Sequence, residues 1–473
     1  NFKILNMKYK FFKTIIFLSL FVFFQDLSSQ KKKPKNVLFI IVDDLRPELP
    51  NYGKKHIIAP NIEELSKSSV QFNNAFCNIP VCGASRASLL TGFRPNKTRF
   101  VNYFSRIDEE MPDALTLSGL LKDNGYTTIS NGKVSHNSAD MKHTWSEVWD
   151  PPQEVTWRNY KLEENIESEK SKKEVPAYEA APVDDDAYFD GQIATKTISD
   201  LIKLRDDGKP FLLFSGFVKP HLPFNAPKKY WDLYDPDEIK FPINKDFPST
   251  APKRAQTWYE MTAYKDIIKN VDVKEKLAKK LIHAYYACVS YIDAQIGRVL
   301  TALDELGLAE DTIVILTSDH GFSLSEHNRW SKHSLFKTEL QVPLMIKVPG
   351  LTKSSQSDSF AELVDLYPTI CELLNIKGPK NLQGNSLVGN LNDPNKITKT
   401  FAFSRYINGD AYMSNNFFYS EWKYNIGDKI LDRMIYENHL DPLQMNNLSH
   451  LESYNVLMDS LGKKIDNQIL DNR

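Results

Sequence analysis

A chain of 473 residues, 41% apolar and 25% charged, has globular composition and is long enough for one extensive core or two domains. A formal net charge of −1 excludes a broadly basic surface, so nucleic-acid binding is not expected and an anionic ligand would need a local cluster of cations. Four cysteines, at positions 77, 82, 288 and 371, are too few to hold a fold of this size through disulfides.

Lys8, Lys10 and Lys13 precede an apolar run from Thr14 to Phe24, followed by Ser28-Ser29-Gln30. This is the pattern of a signal peptide over residues 1–30, since spanning a bilayer takes about 20 apolar residues. No cysteine follows the run, so export to a periplasm or beyond is expected, with no lipid anchor and no stable membrane span. Removing residues 1–30 deletes four Lys and one Asp and leaves a charge near −4.

Lys31 to Lys35 reads as a basic linker. Asn36 to Val42 is a continuous apolar run, the pattern of a strand buried on both faces, and it stops at Asp43-Asp44. Similar runs lie at Phe211 to Phe217, Thr312 to Thr317 and Leu344 to Val348. Helical patterns separate them at Asn61 to Ser68, Leu115 to Asn124, Asp190 to Leu204 and Val273 to Leu306, and Ala84 to Leu90 reads as the first turns of a helix. Residues 140–185, with the charged run Glu163 to Glu174, read as an irregular surface insertion. After Gly378 the alternation fades into short antiparallel strands at Phe401 to Arg405, Asp410 to Ser414, Phe417 to Trp422 and Lys423 to Ile426, then a helix. The expected fold is α/β: a large mostly parallel sheet sandwiched by helices over 36–378, and a smaller C-terminal α+β subdomain with a short antiparallel sheet over 379–473. Cys288 and Cys371 fall in apolar helical patterns and are expected in the core.

Two acidic clusters end strands: Asp43-Asp44, and Asp319-His320 after Thr317-Ser318. A single Asp there would serve a turn, but adjacent carboxylates behind a buried strand repel unless a cation neutralises them. Ligands of parallel sheets gather beyond the carboxyl ends of the strands, where both clusters fall. Oxygen ligands with one imidazole suit a hard ion, Ca²⁺ first and Mg²⁺ next, better than zinc. Cys82 lies at the N-terminal end of the helix read over Ala84 to Leu90, where free N–H groups and the dipole favour an anion.

Cys82-Gly83-Ala84-Ser85-Arg86, with Thr91-Gly92 beyond it, is similar to the signature of the formylglycine-dependent sulfatases of the alkaline-phosphatase superfamily. Gly132-Lys133-Val134-Ser135-His136, Lys219-Pro220-His221-Leu222-Pro223-Phe224, Glu326-His327 through Trp330-Ser331-Lys332, and Tyr436 to Leu448 extend the resemblance toward the iduronate-2-sulfatase branch. The resemblance implies that a maturation enzyme oxidises Cys82 to formylglycine (3-oxoalanine), whose hydrated aldehyde attacks sulfur. One cation would be held by Asp43, Asp44, Asp319, His320 and the group at 82, with Arg86 beside it. Lys133 and Lys332 would meet the sulfate oxygens, His221 with Lys332 would protonate the departing oxygen, and His136 would take the proton that releases sulfate. His327 and Trp330 are expected to be structural. With Cys82 consumed, three cysteines remain; where maturation fails, Cys77 and Cys82 are candidates to pair.

Arg99 to Arg106, Phe322 and His333 depart from that branch and are expected to shape a different sugar subsite. The wealth of Lys, Asn, Ile and Phe resembles exported proteins of marine Bacteroidota that degrade sulfated algal polysaccharides. The implied substrate is therefore a sulfated oligosaccharide or polysaccharide, ulvan-derived first and a glycosaminoglycan 2-sulfated uronate second, attacked at a chain end. Two other classes stay open: a phosphoesterase of the same superfamily, and a non-catalytic polysaccharide-binding protein if Cys82 is never matured.

Overall fold

The computed structural model describes residues 35–152, 156–257, 260–265, 267 and 273–471, so the expected signal peptide lies outside the described residues. The strands are β1 (Asn36–Val42), β2 (Val70–Phe76), β3 (Thr127–Gly132), β4 (Glu147–Trp149), β5 (Tyr178–Ala181), β6 (Phe211–Phe217), β7 (Phe224–Pro227), β8 (Thr312–Ser318), β9 (Leu344–Lys347), β10 (Ser355–Glu362), β11 (Phe401–Tyr406), β12 (Gly409–Ser414), β13 (Phe417–Trp422) and β14 (Asp432–Glu437). Eight of them form one sheet in the order β10-β2-β9-β8-β1-β6-β3-β4. All its pairings are parallel except those of β9, which runs antiparallel to β2 and β8.

The central strands β1, β6 and β8 are buried along their whole length, as continuous apolar runs require. Alternate side chains enter two cores. Leu38, Ile40 and Val42 pack with helices Phe189–Asp207 and Glu275–Glu305 on one face. Val37, Phe39 and Ile41 pack on the other against helices Cys82–Thr91 and Leu366–Leu373. Cys288 and Cys371 are buried in these layers, and all four cysteines are free.

Register places the site. Val42 lies opposite both Phe217 and Ser318, and Gly132 opposite Gly216. Asp43, Val218, Asp319 and Lys133 therefore leave the sheet side by side at its carboxyl edge. Gly132 has φ 70°, and a Cβ there would lie 2.5 Å from Gly216 O, so only glycine lets β3 turn to present Lys133.

Two expectations are corrected. Residues 140–185 are built into the body: β4 extends the main sheet, β5 pairs with β7, and Tyr160, Val175 and Ala181 are buried. These apolar residues outweigh the polar average that suggested a surface insertion. The fourth C-terminal strand is β14, not Lys423–Ile426. There Asp428 N donates to Asn425 O (3.1 Å) and Gly427 takes φ 85°, so the chain turns before pairing again at Trp422 and Asp432.

The sheet β11–β14 is antiparallel throughout. Its outer face (Phe403, Tyr412, Tyr419, Ile435) is covered by helix Asn455–Asp471 through Met458, Leu461 and Ile465. Its inner face (Met413, Phe418, Met434, Tyr436) continues the core beneath the main sheet. No described helix is long and apolar enough to cross a membrane.

Candidate functional site

Cys82 is the first residue of its helix and is buried. A Cβ at Gly83 would lie 2.3 Å from Tyr103 O, so the bare backbone lets the loop carrying Tyr103 close over the helix start. Ser85 Oγ donates to Asp319 O (2.6 Å), and Arg86 Nε donates to Asp319 Oδ2 (2.9 Å), locking the helix to the end of β8.

At Cys82 four ligand groups converge. Asp43, Cys82, Asp319 and His320 each offer an atom, and these atoms lie within 4.8 Å of one another, all buried. His320 Nε2 lies 3.2 Å from Cys82 Sγ. Neither oxygen of Asp43 has a hydrogen-bond partner. Its neighbours are cations instead: Lys133 Nζ in ion-pair contact with Oδ2, and Arg86 Nη2 at 3.6 Å from Oδ1. Burial alone would raise the Asp43 carboxyl, but Lys133, His221, Arg86 and Lys332 outweigh it and hold the group well below the usual carboxylate range. A buried carboxylate with open lone pairs beside a thiol, a second carboxylate and an imidazole is a donor set that fits a hard cation.

Asp44, at φ 60°, adjoins this quartet, its N donating to Asp319 Oδ1 (3.3 Å), and groups with His221 and Glu260, their ligand atoms lying within 4.8 Å of one another. Lys332 Nζ lies 3.1 and 3.2 Å from its two oxygens, and His320 Nδ1 lies 3.2 Å from Oδ1. Burial raises its carboxyl to about 7 despite Lys332.

The histidines lie on two sides. His221, in the loop between β6 and β7, approaches Leu222 O through Nδ1 (2.6 Å) and Glu260 Oε1 through Nε2 (3.0 Å). The exposed Trp157 meets its ring edge-on at 6.1 Å. His136 follows Lys133, faces Tyr103 at 6.0 Å, and is pushed down to about 3 by burial and then by Lys133.

The structure thus brings Asp43, Asp44, Cys82, Arg86, Lys133, Asp319, His320 and Lys332 into one contiguous cluster, with His221 joined to Lys332 through Glu260 and His136 beside Lys133. His327 and Trp330 are buried, His327 stacked on Phe336 at 4.2 Å. Phe322 does not line a sugar subsite: it is fully buried between Phe224 and Tyr285, because its position behind the strand-end loop faces the core. His333 sits beside Tyr406 at 5.9 Å. Sequence reasoning missed Glu260 and Trp157. Neither carries a local motif; each reaches the site only through tertiary packing.

These features define a sulfuric ester hydrolase. The chain belongs to the sulfatase family, the family description "Sulfatase" matching residues 35–376, and "N-sulphoglucosamine sulphohydrolase, C-terminal" matching residues 325–471. It is 34% identical over 420 residues to iduronate 2-sulfatase of Homo sapiens, covering 80% of this chain and 76% of that one. A protein named sulfatase from Formosa agariphila is 30% identical over 397 residues, covering 81% of this chain and 77% of that one. Among solved structures, a protein in complex with its substrate D-glucosamine-2-N,6-O-disulfate superposes with TM-score 0.75 at 21% identity, covering 93% of this chain and 98% of that chain. A phosphonate monoester hydrolase from Silicibacter pomeroyi gives 0.78 at 19% identity, covering 93% and 96%. These two likenesses bear on the fold alone.

Proposed function

We propose that the protein is an exported sulfatase that removes sulfate from a sulfated carbohydrate, with residue 82 as nucleophile after oxidation to formylglycine and with one bound Ca²⁺. The observation that carries this reading is the buried quartet Asp43, Cys82, Asp319 and His320, with Asp43 oxygens that take no hydrogen bond and face Lys133 and Arg86, and with Lys332 paired to the adjoining Asp44. Asp43, Asp319, His320 and residue 82 would hold the cation, with Asp44 adjoining through His320. A cation there supplies charge that polarises the sulfate ester.

The chain's own residues supply the rest. Arg86 braces Asp319 and the helix start, and Lys133 and Lys332 offer fixed positive charge to sulfate oxygens as negative charge develops. His221 is the donor to the departing oxygen. His136, held neutral by burial and Lys133, is suited to accept a proton from residue 82 when sulfate leaves. Trp157 and Tyr103, exposed beside His221 and His136, offer faces on which sugar rings can stack.

For the sugar, composition favours an ulvan-derived oligosaccharide attacked at a chain end. The likeness to iduronate 2-sulfatase favours a second reading, a 2-sulfated uronate of a glycosaminoglycan. Residues 1–30 are assigned as the export signal.

The test is sulfate release by protein whose residue 82 is verified as formylglycine by peptide mass, with Cys82→Ala as control. Ulvan fragments, 2-sulfated uronate disaccharides and phosphate monoesters are run side by side. Release from ulvan fragments is expected. Release from the uronate alone transfers the assignment to the second reading, and phosphate release alone removes the sulfatase reading.

A further inference from the structure

A cleft of about 1660 Å³ has Arg46 at one end and shares no residue with the cluster at Cys82. Small-molecule sites usually hold roughly 300–1,000 Å³, so this one has room for several linked rings. Its lining carries a row of amides. Asn51 Nδ2 donates to Gln71 Oε1 (2.8 Å), Gln71 Nε2 to Asn73 Oδ1 (3.0 Å), and Asn73 Nδ2 to Gln356 Oε1 (3.4 Å). Gln71 and Asn73 stand two apart on β2, so they share one face of the strand. Asn51 Oδ1, at the head of the row, is buried and takes no hydrogen bond. Gln444, 1% exposed, accepts from Lys337 N (2.7 Å) through Oε1 and leaves its buried Nε2 without a partner.

Cations and rings complete the lining. Burial, and then Lys54, pushes the Lys337 ammonium below its usual range. Among the described residues no carboxylate pairs with Lys54 or Lys337, and Arg46 takes both Glu48 and Glu326. Asp237 and Glu238, in the turn Pro236–Glu238, offset the lysines over the cleft as a whole, so its positive charge is local. Tyr52, Tyr234, Phe241 and Tyr286 add aromatic surface.

We propose that this cleft is an accessory carbohydrate site: it binds a segment of the sulfated chain away from the catalytic cluster, with Lys54 and Lys337 on a sulfate or carboxylate and the amides on ring hydroxyls. The inference rests on the reading of the substrate as a sulfated carbohydrate. An amide presents a donor and an acceptor side by side, which matches neighbouring hydroxyls, and ammonium groups meet anionic substituents. Aromatic rings cover the apolar faces of sugars. A site for a free inorganic anion would need the lysines alone. A second hold on one polymer raises its effective concentration at the catalytic cluster, so the cleft lowers KM for long chains.

The experiment compares the wild-type cleft with Lys337→Gln and with the pair Lys54→Ala and Lys337→Gln combined. In one arm every protein also carries Cys82→Ala, which prevents turnover. Binding to ulvan polymer and to heparan sulfate is then read as retardation in affinity electrophoresis, with sodium sulfate as competitor. In the other arm, matured, calcium-loaded protein is assayed for sulfate release from each polymer and from its disaccharides. The combined variant is expected to bind polymer about tenfold more weakly, on the scale of two charged contacts. Its KM is expected to rise several-fold more on polymer than on disaccharide, a ratio that does not depend on how much of the preparation is folded. Three results overturn the inference and leave the sulfatase reading standing: retardation that the substitutions do not change, an equal rise of KM on polymer and disaccharide, or displacement of polymer by an equal concentration of free sulfate. Weakened retardation, with no sulfate released by the matured wild type from any ester, supports the cleft and overturns the sulfatase reading.

Discussion

Two of the buried charge clusters among the described residues are built on opposite principles. Near the C-terminal sheet, Glu362 accepts from Asn78 Nδ2 (2.8 Å), Arg94 Nε (3.1 Å) and Phe403 N (3.2 Å) through Oε1, and from Arg94 Nη2 (2.6 Å) through Oε2, with Lys399 in contact. Asp365 accepts from Asn385 N (2.7 Å) and Lys399 through Oδ1, and from Glu362 N (2.8 Å) and Lys399 through Oδ2. Every carboxylate oxygen is used. At the sheet edge Asp43 uses neither oxygen in a hydrogen bond, and Arg86 Nη2 also lacks one. Buried polar groups left open cost stability and persist where something else completes them. The closed cluster ties the fold together; the open one gathers two carboxylates, a thiol and an imidazole around one point.

The sharpest way to break this contrast is Asp43→Asn. Activity of the matured protein is expected to fall by about 10³-fold or more, the scale of lost electrostatic and metal assistance. Added Ca²⁺ is expected to raise the melting temperature of the wild type, by about 2.7 kcal/mol of stability at a hundredfold excess over Kd, but not that of the variant. Calorimetry with and without the ion checks it.

Glu362→Gln should do the reverse, costing about 3–5 kcal/mol because Arg94 and Lys399 remain buried without their partner. Its pH signature follows from the sign of the shift. Burial alone would raise this carboxyl, but Arg94 and Lys399 depress it from 4.5 to about 2 in the folded protein. Its stabilising contribution is therefore complete above about pH 4.5 and is lost as pH falls toward 2. Urea midpoints measured down that range should fall more steeply in the wild type than in Glu362→Gln.

The smallest effect sharpens the comparison at the rim. Trp157 is half exposed and its ring lies 4.6 Å from the Arg158 guanidinium, which Glu169 holds at 2.8 Å. Trp157→Ala should raise KM for a carbohydrate ester a few-fold, as loss of one stacking face would, with stability within about 0.5 kcal/mol of wild type. Steady-state kinetics and a thermal melt decide it.

Legibility in the sequence followed burial and contiguity. β1, β6, β8 and β9 announced themselves because strands covered on both faces are unbroken apolar runs. The outer strand β10 (SQSDSFAE) did not, since its exposed positions accept Ser, Gln and Asp, and β14, at the edge of the smaller sheet, begins Asp432-Arg433. At the site, Asp43, Cys82 and Asp319 lie at strand ends or a helix start within recognisable motifs. Glu260 stands in Gln256 to Tyr264 with no periodic pattern, and its meeting with His221 depends on packing from distant parts of the chain.

The inner face of the C-terminal sheet has a consequence for recombining this enzyme with its relatives. Met413, Phe418, Met434 and Tyr436 share one interior with Val37, Phe39 and Ile41 of the central strand, and Arg405 N donates to Asn78 O (2.9 Å), four residues before Cys82. The two sheets are thus not interchangeable modules. A swap of the last hundred residues between sulfatases would transplant half of a shared interior and reset the floor beneath Cys82, so a chimera must carry both halves from one parent.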